Sequence, residues 1–183
     1  SDGHLKALDG KVDIDDNSLY RHPNIQEFRD EITENELVLK AREFDFLYIP
    51  IKDQGNIGVI SNGSGMIMSS IDLISKRGME VTCALDLGGG ATADRIKEAL
   101  KIVASNPRVD TVFINIFGGI TRCDEIANGV TQSISEIDTN RLVVRLEGTN
   151  KEKGLQIIRD LGGNIELVDG LYEGVDALAE GMK

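Results

Sequence analysis

Short apolar runs alternate with helix-length amphipathic stretches at a fairly regular spacing from residue 55 to residue 183. The runs are rich in Val and Ile and carry few charges, which is typical of strands that are covered on both faces. Strands are predicted at residues 56–61, 81–87, 111–117, 142–146 and 164–168, and helices at 65–76, 92–104, 124–136, 150–161 and 171–181. Five such units predict an α/β fold whose flavodoxin-like, doubly wound parallel sheet has five strands in the order 2-1-3-4-5.

Residues 1–54 lack this alternation. The stretch HLKALDGKVDI, residues 4–14, alternates like a strand of a hairpin, and residues 24–44 carry a charged pattern that predicts helix in part. Because the segment is too short to build a core of its own, we interpret it as the end of a preceding domain followed by a connector. The predicted domains are therefore residues 1–54 and residues 55–183.

Charge and cysteine content restrict the partners that the chain can have. The formal net charge is −11 among 183 residues, which disfavours a surface for nucleic acid or for an anionic membrane. No apolar run is long enough to span a bilayer. The two cysteines lie far apart and in no metal-binding pattern, so we expect a reducing compartment. That compartment would be the cytoplasm, or the mitochondrial matrix in a eukaryote.

One loop combines the features of an anion site. In VISNGSGMIM, residues 59–68, a predicted strand turns directly into a helix through small residues. Glycine lets the backbone turn sharply and approach a ligand, and the free N–H groups and dipole of a helix start favour negative charge. We therefore predict a phosphate site at Gly63, Ser64, Gly65 and Met66. It lies beside Asn62, whose amide both donates and accepts and so suits a carboxylate or a carbonyl.

A second loop, NIFGGITRCD at residues 115–124, follows the third predicted strand. In the order 2-1-3-4-5 the first and third strands are neighbours where the order reverses. The two loops therefore face each other across the crevice that binds ligands in such sheets. Gly118 and Gly119 expose backbone N–H groups, and Thr121 adds a hydroxyl. Arg122 can bind a carboxylate or a phosphate through two hydrogen bonds.

The predicted crevice binds an anion but offers no catalytic group. The sequence contains no evident pairing of nucleophile and base and no metal-binding cluster, and we interpret Cys123 as a spectator thiol. Either the chain is a stand-alone flavodoxin-like module that binds a phosphate or a nucleotide, or the reacting group comes from another polypeptide. Tight structural turns are the simplest alternative for each loop.

Four stretches carry a resemblance to a known family: NIGVISNGSGMIM, LDLGGGAT, VFINIFGGITRCDEIANGV and VVRLEGTN. In this order they resemble the carboxyl-terminal domain of the β subunits of succinyl-CoA synthetases, the ADP- or GDP-forming succinate–CoA ligases. Upstream, ALDGKVDIDDNSLYRHP resembles the end of the ATP-grasp domain of these subunits. The resemblance covers residues 5–183, and NIFGGITRCD is its most specific motif.

The resemblance implies a ligase that converts succinate, CoA and a nucleoside triphosphate into succinyl-CoA, a nucleoside diphosphate and phosphate. Two helix amino-termini would hold a phosphorylated histidine of the partner α subunit, and one of them is the helix that follows Asn62. The family's succinate-binding positions match Asn62, Gly119, Ile120 and Thr121, and many members have Val in place of Thr121. Arg122, beside them, is assigned to acid binding or to the α-subunit interface.

The same resemblance implies a Mg²⁺ ligand at Asp9, whose partner ligand and nucleotide pocket would lie outside this chain. We therefore expect Mg²⁺ in a longer polypeptide only, and we expect the chain alone to be inactive. Within the family, a malate–CoA ligase or a relative of citrate lyase stays open as an alternative.

Overall fold

A computed structural model describes residues 3–32, 35–137, 139 and 141–181. The chain divides into two compact units, Ser1–Glu34 and Asn35–Lys183. This division lies twenty residues before the predicted boundary, because residues 35–54 pack with the second unit. The interpretation of the first segment as the end of another domain stays a prediction.

The first unit contains a short 3₁₀ helix, Asp16–Arg21, and helix α1, Pro23–Glu31. The carboxylate of Asp15 accepts a hydrogen bond from the backbone N–H of Asn17 and so caps the 3₁₀ helix. Residues 4–14 form no strand, so the predicted hairpin strand is wrong. A strand needs a partner for its backbone hydrogen bonds, and the described residues offer this segment none.

The second unit alternates helices with strands. They are α2 (Glu36–Arg42), β1 (Leu47–Pro50), β2 (Ile57–Ser61), α3 (Ser64–Lys76), β3 (Val81–Asp86), α4 (Ala93–Ala104), β4 (Thr111–Gly118), α5 (Cys123–Ser133), β5 (Arg141–Gly148), α6 (Lys151–Leu161), β6 (Ile165–Val168) and α7 (Leu171–Glu180). Every strand and helix predicted after residue 55 is present, with ends within three residues of the prediction. No helix in the described ranges is both long enough and apolar enough to cross a membrane.

Six strands form one sheet in the order β1-β3-β2-β4-β5-β6. Strands β2 to β6 pair in parallel, and counted from β2 they follow the predicted order 2-1-3-4-5. The α/β class is therefore confirmed, but the strand number is corrected from five to six. The extra strand, β1, pairs antiparallel with β3 at the edge of the sheet. Its four residues end on Pro50 and lie outside the repeating pattern, so periodicity carried no signal for it.

Helices cover both faces of the sheet. Buried residues of α4, α5 and α6 pack on the face that contains Ile60 and Ile114. Residues of α3 and α7 pack on the opposite face, which contains Val59 and Phe113. Neighbouring residues of a strand point to opposite faces, so a strand covered on both sides must be apolar throughout. The continuous apolar runs in the sequence therefore predicted this double coverage correctly.

Candidate functional site

The order of the sheet reverses at β2. The chain passes from β2 to β3 on one side and then crosses to β4 on the other side. The carboxyl ends of β2 and β4 therefore lie at the position where sheets of this kind have their ligand-binding crevice. Asn62 spans this point. Its amide nitrogen donates to the carbonyl oxygen of Phe117 at 2.8 Å, and the N–H of Phe117 donates to its amide oxygen at 3.0 Å. The two predicted loops are therefore neighbours, joined by a side chain that retains one N–H for a ligand.

The first loop, residues 62–66, is here named the α3 loop. Gly63 has φ +141°, a conformation that residues with a side chain rarely adopt, and this turn starts α3. The N–H groups of Met66 and Ile67 donate to the carbonyl oxygen of Gly63. Among the described residues, the N–H groups of Ser64 and Gly65 have no protein acceptor. Two unpaired donors at the positive end of a 13-residue helix suit an anion.

An acidic residue lies beside the α3 loop. The hydroxyl of Ser64 donates to Oδ2 of Asp86 at 3.0 Å, and Oδ1 of Asp86 accepts from the N–H of Gly88 at 2.9 Å. The serine hydroxyl is therefore bonded within the protein and is less available to a ligand than a free hydroxyl would be. The carboxylate also weakens the attraction of the loop for a free anion, because like charges repel.

The second loop, residues 118–122, is here named the β4 loop. Gly119 and Ile120 are exposed, and 85% of the surface of Ile120 is accessible. Thr121 is only 1% exposed, and its hydroxyl oxygen accepts from the N–H of Gly90 at 2.9 Å and, at 3.4 Å, from that of Ala91. The loop therefore exposes backbone at Gly119 and Ile120, whereas the Thr121 side chain is buried and bonded within the protein.

Arg122 is held by a buried carboxylate. Its Nε donates to Oδ1 of Asp124 at 3.1 Å and its Nη2 donates to Oδ2 at 2.7 Å. Asp124, whose side chain is 2% exposed, also accepts from Asn150 at 3.1 Å and from Lys153 at 2.9 Å. These bonds, that from Arg122 foremost, hold the pKa of Asp124 well below its usual range although burial opposes them. A role of Arg122 in acid binding stays a prediction.

A cation that the sequence analysis missed, Arg145, lies on β5. Its Nη1 donates to the side-chain oxygen of Asn115 at 3.0 Å and its Nε donates to the carbonyl oxygen of Asp169 at 3.3 Å. Asn115 in turn donates to Ser70 at 2.9 Å, and Ser70 donates to the carbonyl oxygen of Met66 at 2.8 Å. This polar chain anchors the first turn of α3 to the sheet. The signal for it was an arginine inside the predicted strand 142–146, whose other residues are apolar.

Cys123 and Asp9 are the remaining residues that the sequence analysis singled out. Cys123 is fully buried, and this burial raises the pKa of its thiol, which keeps the thiol protonated. Its spectator role stays a prediction. Asp9 lies exposed in the first unit, where its carboxylate accepts from the N–H of Gly10. Within the part of the chain that the structure describes, no three His, Cys, Asp or Glu residues could hold a metal. One carboxylate falls short of the oxygen shell of Mg²⁺, so Asp9 as a ligand stays a prediction.

Comparison with known sequences gives a consistent set of relatives. The family described as CoA-ligase matches residues 60–170. The chain is 44% identical over 183 residues to the succinate–CoA ligase [ADP-forming] subunit beta of Jannaschia sp. (strain CCS1), covering all of this chain and 46% of that protein. It is 43% identical over 180 residues to the protein of the same name from Geobacillus thermodenitrificans (strain NG80-2), again covering 46% of it. The chain thus spans about half the length of these relatives.

Solved structures share the fold at lower identity. The ATP citrate lyase from Methanothrix soehngenii, in complex with citrate and coenzyme A, matches with a TM-score of 0.74 and 19% identity. The match covers 91% of this chain and 49% of that one. A dinucleotide-forming acetyl-coenzyme A synthetase from Ca. Korarchaeum cryptofilum, in complex with phosphate and ADP, matches with a TM-score of 0.59 and 17% identity. That match covers 72% of this chain and 32% of the synthetase. At such identities these likenesses concern the fold alone.

Proposed function

Because this chain belongs to the CoA-ligase family, we propose that it forms part of the β subunit of an ADP-forming succinate–CoA ligase. The complete enzyme would convert succinate, CoA and ATP into succinyl-CoA, ADP and phosphate. The names of the relatives support this reaction, since they are 43% and 44% identical to the whole or nearly the whole chain. The chain spans about half of those proteins, and we assign to it the binding of phosphate and acid rather than of nucleotide.

The observation that carries the proposal is the pair of N–H groups at Ser64 and Gly65, which lack a protein acceptor among the described residues. Located at the start of α3, they suit a phosphoryl group on a histidine of the partner α subunit. A group that arrives on a partner is held by the docking of two proteins as well as by the loop. The adjacent carboxylate of Asp86 is then tolerable, whereas free phosphate would bind weakly.

The acid would bind at the other side of the crevice. The remaining N–H of Asn62 and the exposed backbone of Gly119 and Ile120 are the donors for its carboxylates, with Arg122 beside them. None of these groups is a nucleophile or a base at neutral pH. The chain alone would therefore orient the acid and the phosphoryl group without transferring either, and the transfer would depend on the histidine of the partner.

The rim of the crevice suits a protein partner. Phe117 is 56% exposed and Ile120 is 85% exposed, although both follow the buried part of β4. A partner that covers such exposed apolar side chains removes them from water, which stabilises the complex. We assign this rim to docking of the α subunit. In the complete enzyme we further propose Asp9 as one ligand of Mg²⁺, and a location in the cytoplasm or, in a eukaryote, in the mitochondrial matrix.

The proposal is tested by comparing the chain alone with the assembled enzyme. The full-length β subunit that contains this chain, mixed with its α subunit, is expected to form succinyl-CoA and to bind ADP. The chain alone is expected to do neither. In an NMR titration of the isolated chain, millimolar phosphate should shift the amide signals of Ser64 and Gly65 first, and Ser69, further along α3, serves as the internal control.

Two outcomes would reject the proposal. Tight nucleotide binding by the isolated chain, with no association with an α subunit, would favour a stand-alone binding module. Phosphate-induced shifts elsewhere in the sheet, with none at Ser64 and Gly65, would show that the α3 loop is not an anion site.

A further inference from the structure

Two glycine-containing loops meet at a single side chain. The hydroxyl oxygen of Thr121, buried in the β4 loop, accepts the N–H of Gly90 at 2.9 Å and lies 3.4 Å from the nitrogen of Ala91. Gly90 belongs to the segment between β3 and α4, residues 87–92, here named the glycine loop. A valine has nearly the same shape as threonine but no acceptor, so it would leave these N–H groups without their partner.

The glycine loop is fixed at both ends and open in the middle. Asp86 accepts the N–H of Gly88 at one end, and Glu125 accepts the N–H of Ala93 at the other. Residues 88–90 between them are exposed. Thr121 holds this exposed part at its last residue, Gly90, and no other side chain among the described residues bonds to Gly90.

The open part of the glycine loop reaches the proposed acid site. A Cβ atom added at Gly90 would lie 3.5 Å from Cγ2 of Ile120, one of the exposed residues of the β4 loop. Gly90 also has φ +70°, which a residue with a side chain adopts only with strain. The segment therefore places backbone without side chains at a fixed position beside Ile120. A segment with these two properties can limit the volume that is open to a ligand.

We infer that Thr121 is a positioning residue and that the glycine loop, held by it against Ile120, determines which acids the crevice accepts by limiting their size. The inference rests on the proposed function, because it assumes that the crevice binds a dicarboxylic acid. A loop freed from Thr121 would contact a small acid less often and exclude a larger one less strictly. Acid affinity and discrimination should change together.

The test compares Thr121→Val with Thr121→Ser, which keeps the hydroxyl, in the assembled two-subunit enzyme. With succinate as substrate, Thr121→Val should raise the KM for the acid about three- to tenfold, the effect of one lost hydrogen bond. The preference for succinate over 2-methylsuccinate should fall by a similar factor. The KM for the nucleotide should not change, and Thr121→Ser should restore most of the acid affinity and selectivity.

Two supporting measurements keep the test decisive if Thr121→Val assembles poorly. Amide hydrogen exchange at Gly90 and Ala91 should accelerate in Thr121→Val and not in Thr121→Ser, whereas exchange in the centre of β4 should stay slow. Gly90→Ala, which alters the loop without touching Thr121, should also change the ratio of kcat/KM for the two acids.

The possible failures are distinguishable. If the unsubstituted enzyme forms no acyl-CoA, the proposed function fails and this inference fails with it. If the unsubstituted enzyme is active but neither Thr121→Val nor Gly90→Ala changes the KM or the selectivity for the acid, only the inference is overturned. A fall in kcat alone, with both KM values unchanged, would indicate a general structural role for Thr121 and would also overturn it.

Discussion

The α3 loop and the β4 loop follow neighbouring parallel strands and are both rich in glycine, yet they use their polar groups differently. In the α3 loop, the N–H groups of Ser64 and Gly65 lack a protein acceptor within the described residues. In the β4 loop, Thr121 and Arg122 are already bonded to Gly90 and Asp124. The first loop therefore leaves backbone donors unpaired, whereas the polar side chains of the second loop are bonded within the protein.

The largest effect is expected where the β4 loop is held. Asp124→Asn removes the negative charge that compensates Arg122 and Lys153 and turns an acceptor into a donor facing donors. Breaking a buried ion pair costs about 3 kcal/mol or more when the charge left behind is buried. Here both cations stay partly exposed, so the expected loss is that of the hydrogen bonds to charged groups, about 2–3 kcal/mol. Urea unfolding of the chain measures this loss.

The control for this variant is Lys153→Ala, which removes one exposed cation and should cost less than about 1 kcal/mol. Phosphate should still shift the amides of Ser64 and Gly65 in Asp124→Asn. If the substitution left stability unchanged but abolished these shifts, the division of roles between the two loops would be reversed.

The same ion pairs predict a dependence of stability on pH. The pKa of Asp124 is lower in the folded chain than in the unfolded chain, where it lies at about 3.9. Its contribution is therefore fully present above the unfolded pKa and is lost as the pH falls through the folded pKa. The difference in unfolding free energy between the unsubstituted chain and Asp124→Asn should be constant from about pH 5 to about pH 7 and should shrink below about pH 4. A constant difference down to pH 3 would mean that the charge of Asp124 is not the stabilising feature.

A moderate effect is expected in the α3 loop itself. Gly63→Ala forces a residue with a side chain into φ +141°, although a Cβ there would meet no atom within 4 Å. The expected loss of unfolding free energy is therefore purely conformational, about 1–3 kcal/mol. Phosphate binding should weaken with it, as NMR titration would reveal. Gly65→Ala is the matched control: it has the same open surroundings without the positive φ, so stability should stay within about 1 kcal/mol.

The smallest effect is expected for Ser64→Ala. The variant removes one exposed hydrogen bond to Asp86, which contributes at most about 1 kcal/mol to stability. Because the binding donors are backbone N–H groups, the dissociation constant for phosphate should change less than threefold. A larger weakening would place the hydroxyl, and not the backbone, at the centre of the site and would make the two loops more alike than the structure indicates.

The sequence predicted the arrangement of the crevice better than the state of its polar groups. The order of the parallel strands followed from the regular alternation of short apolar runs with helix-length stretches. Both features can be recognised from the local sequence alone. The full set of bonds to Asp124 could not be predicted in this way, because Asn150 and Lys153 reach Asp124 from another strand–helix connection. Similarly, the pattern treated Gly63 and Gly65 alike, whereas only Gly63 has a conformation that requires glycine.

The antiparallel strand β1 has a consequence for any shorter form of this chain. Without it, β3 would end the sheet with a row of unpaired N–H and C=O groups along six mostly buried residues. Such an edge is a template for pairing with another copy of the same strand, and so for aggregation. With it, the strand at this edge has only four residues and ends on Pro50, and the charged Lys52 and Asp53 follow it. A short edge strand with these features is a poor template for such pairing. A polypeptide that starts at residue 55 would keep both loops of the crevice but lose the strand that covers the edge of its sheet.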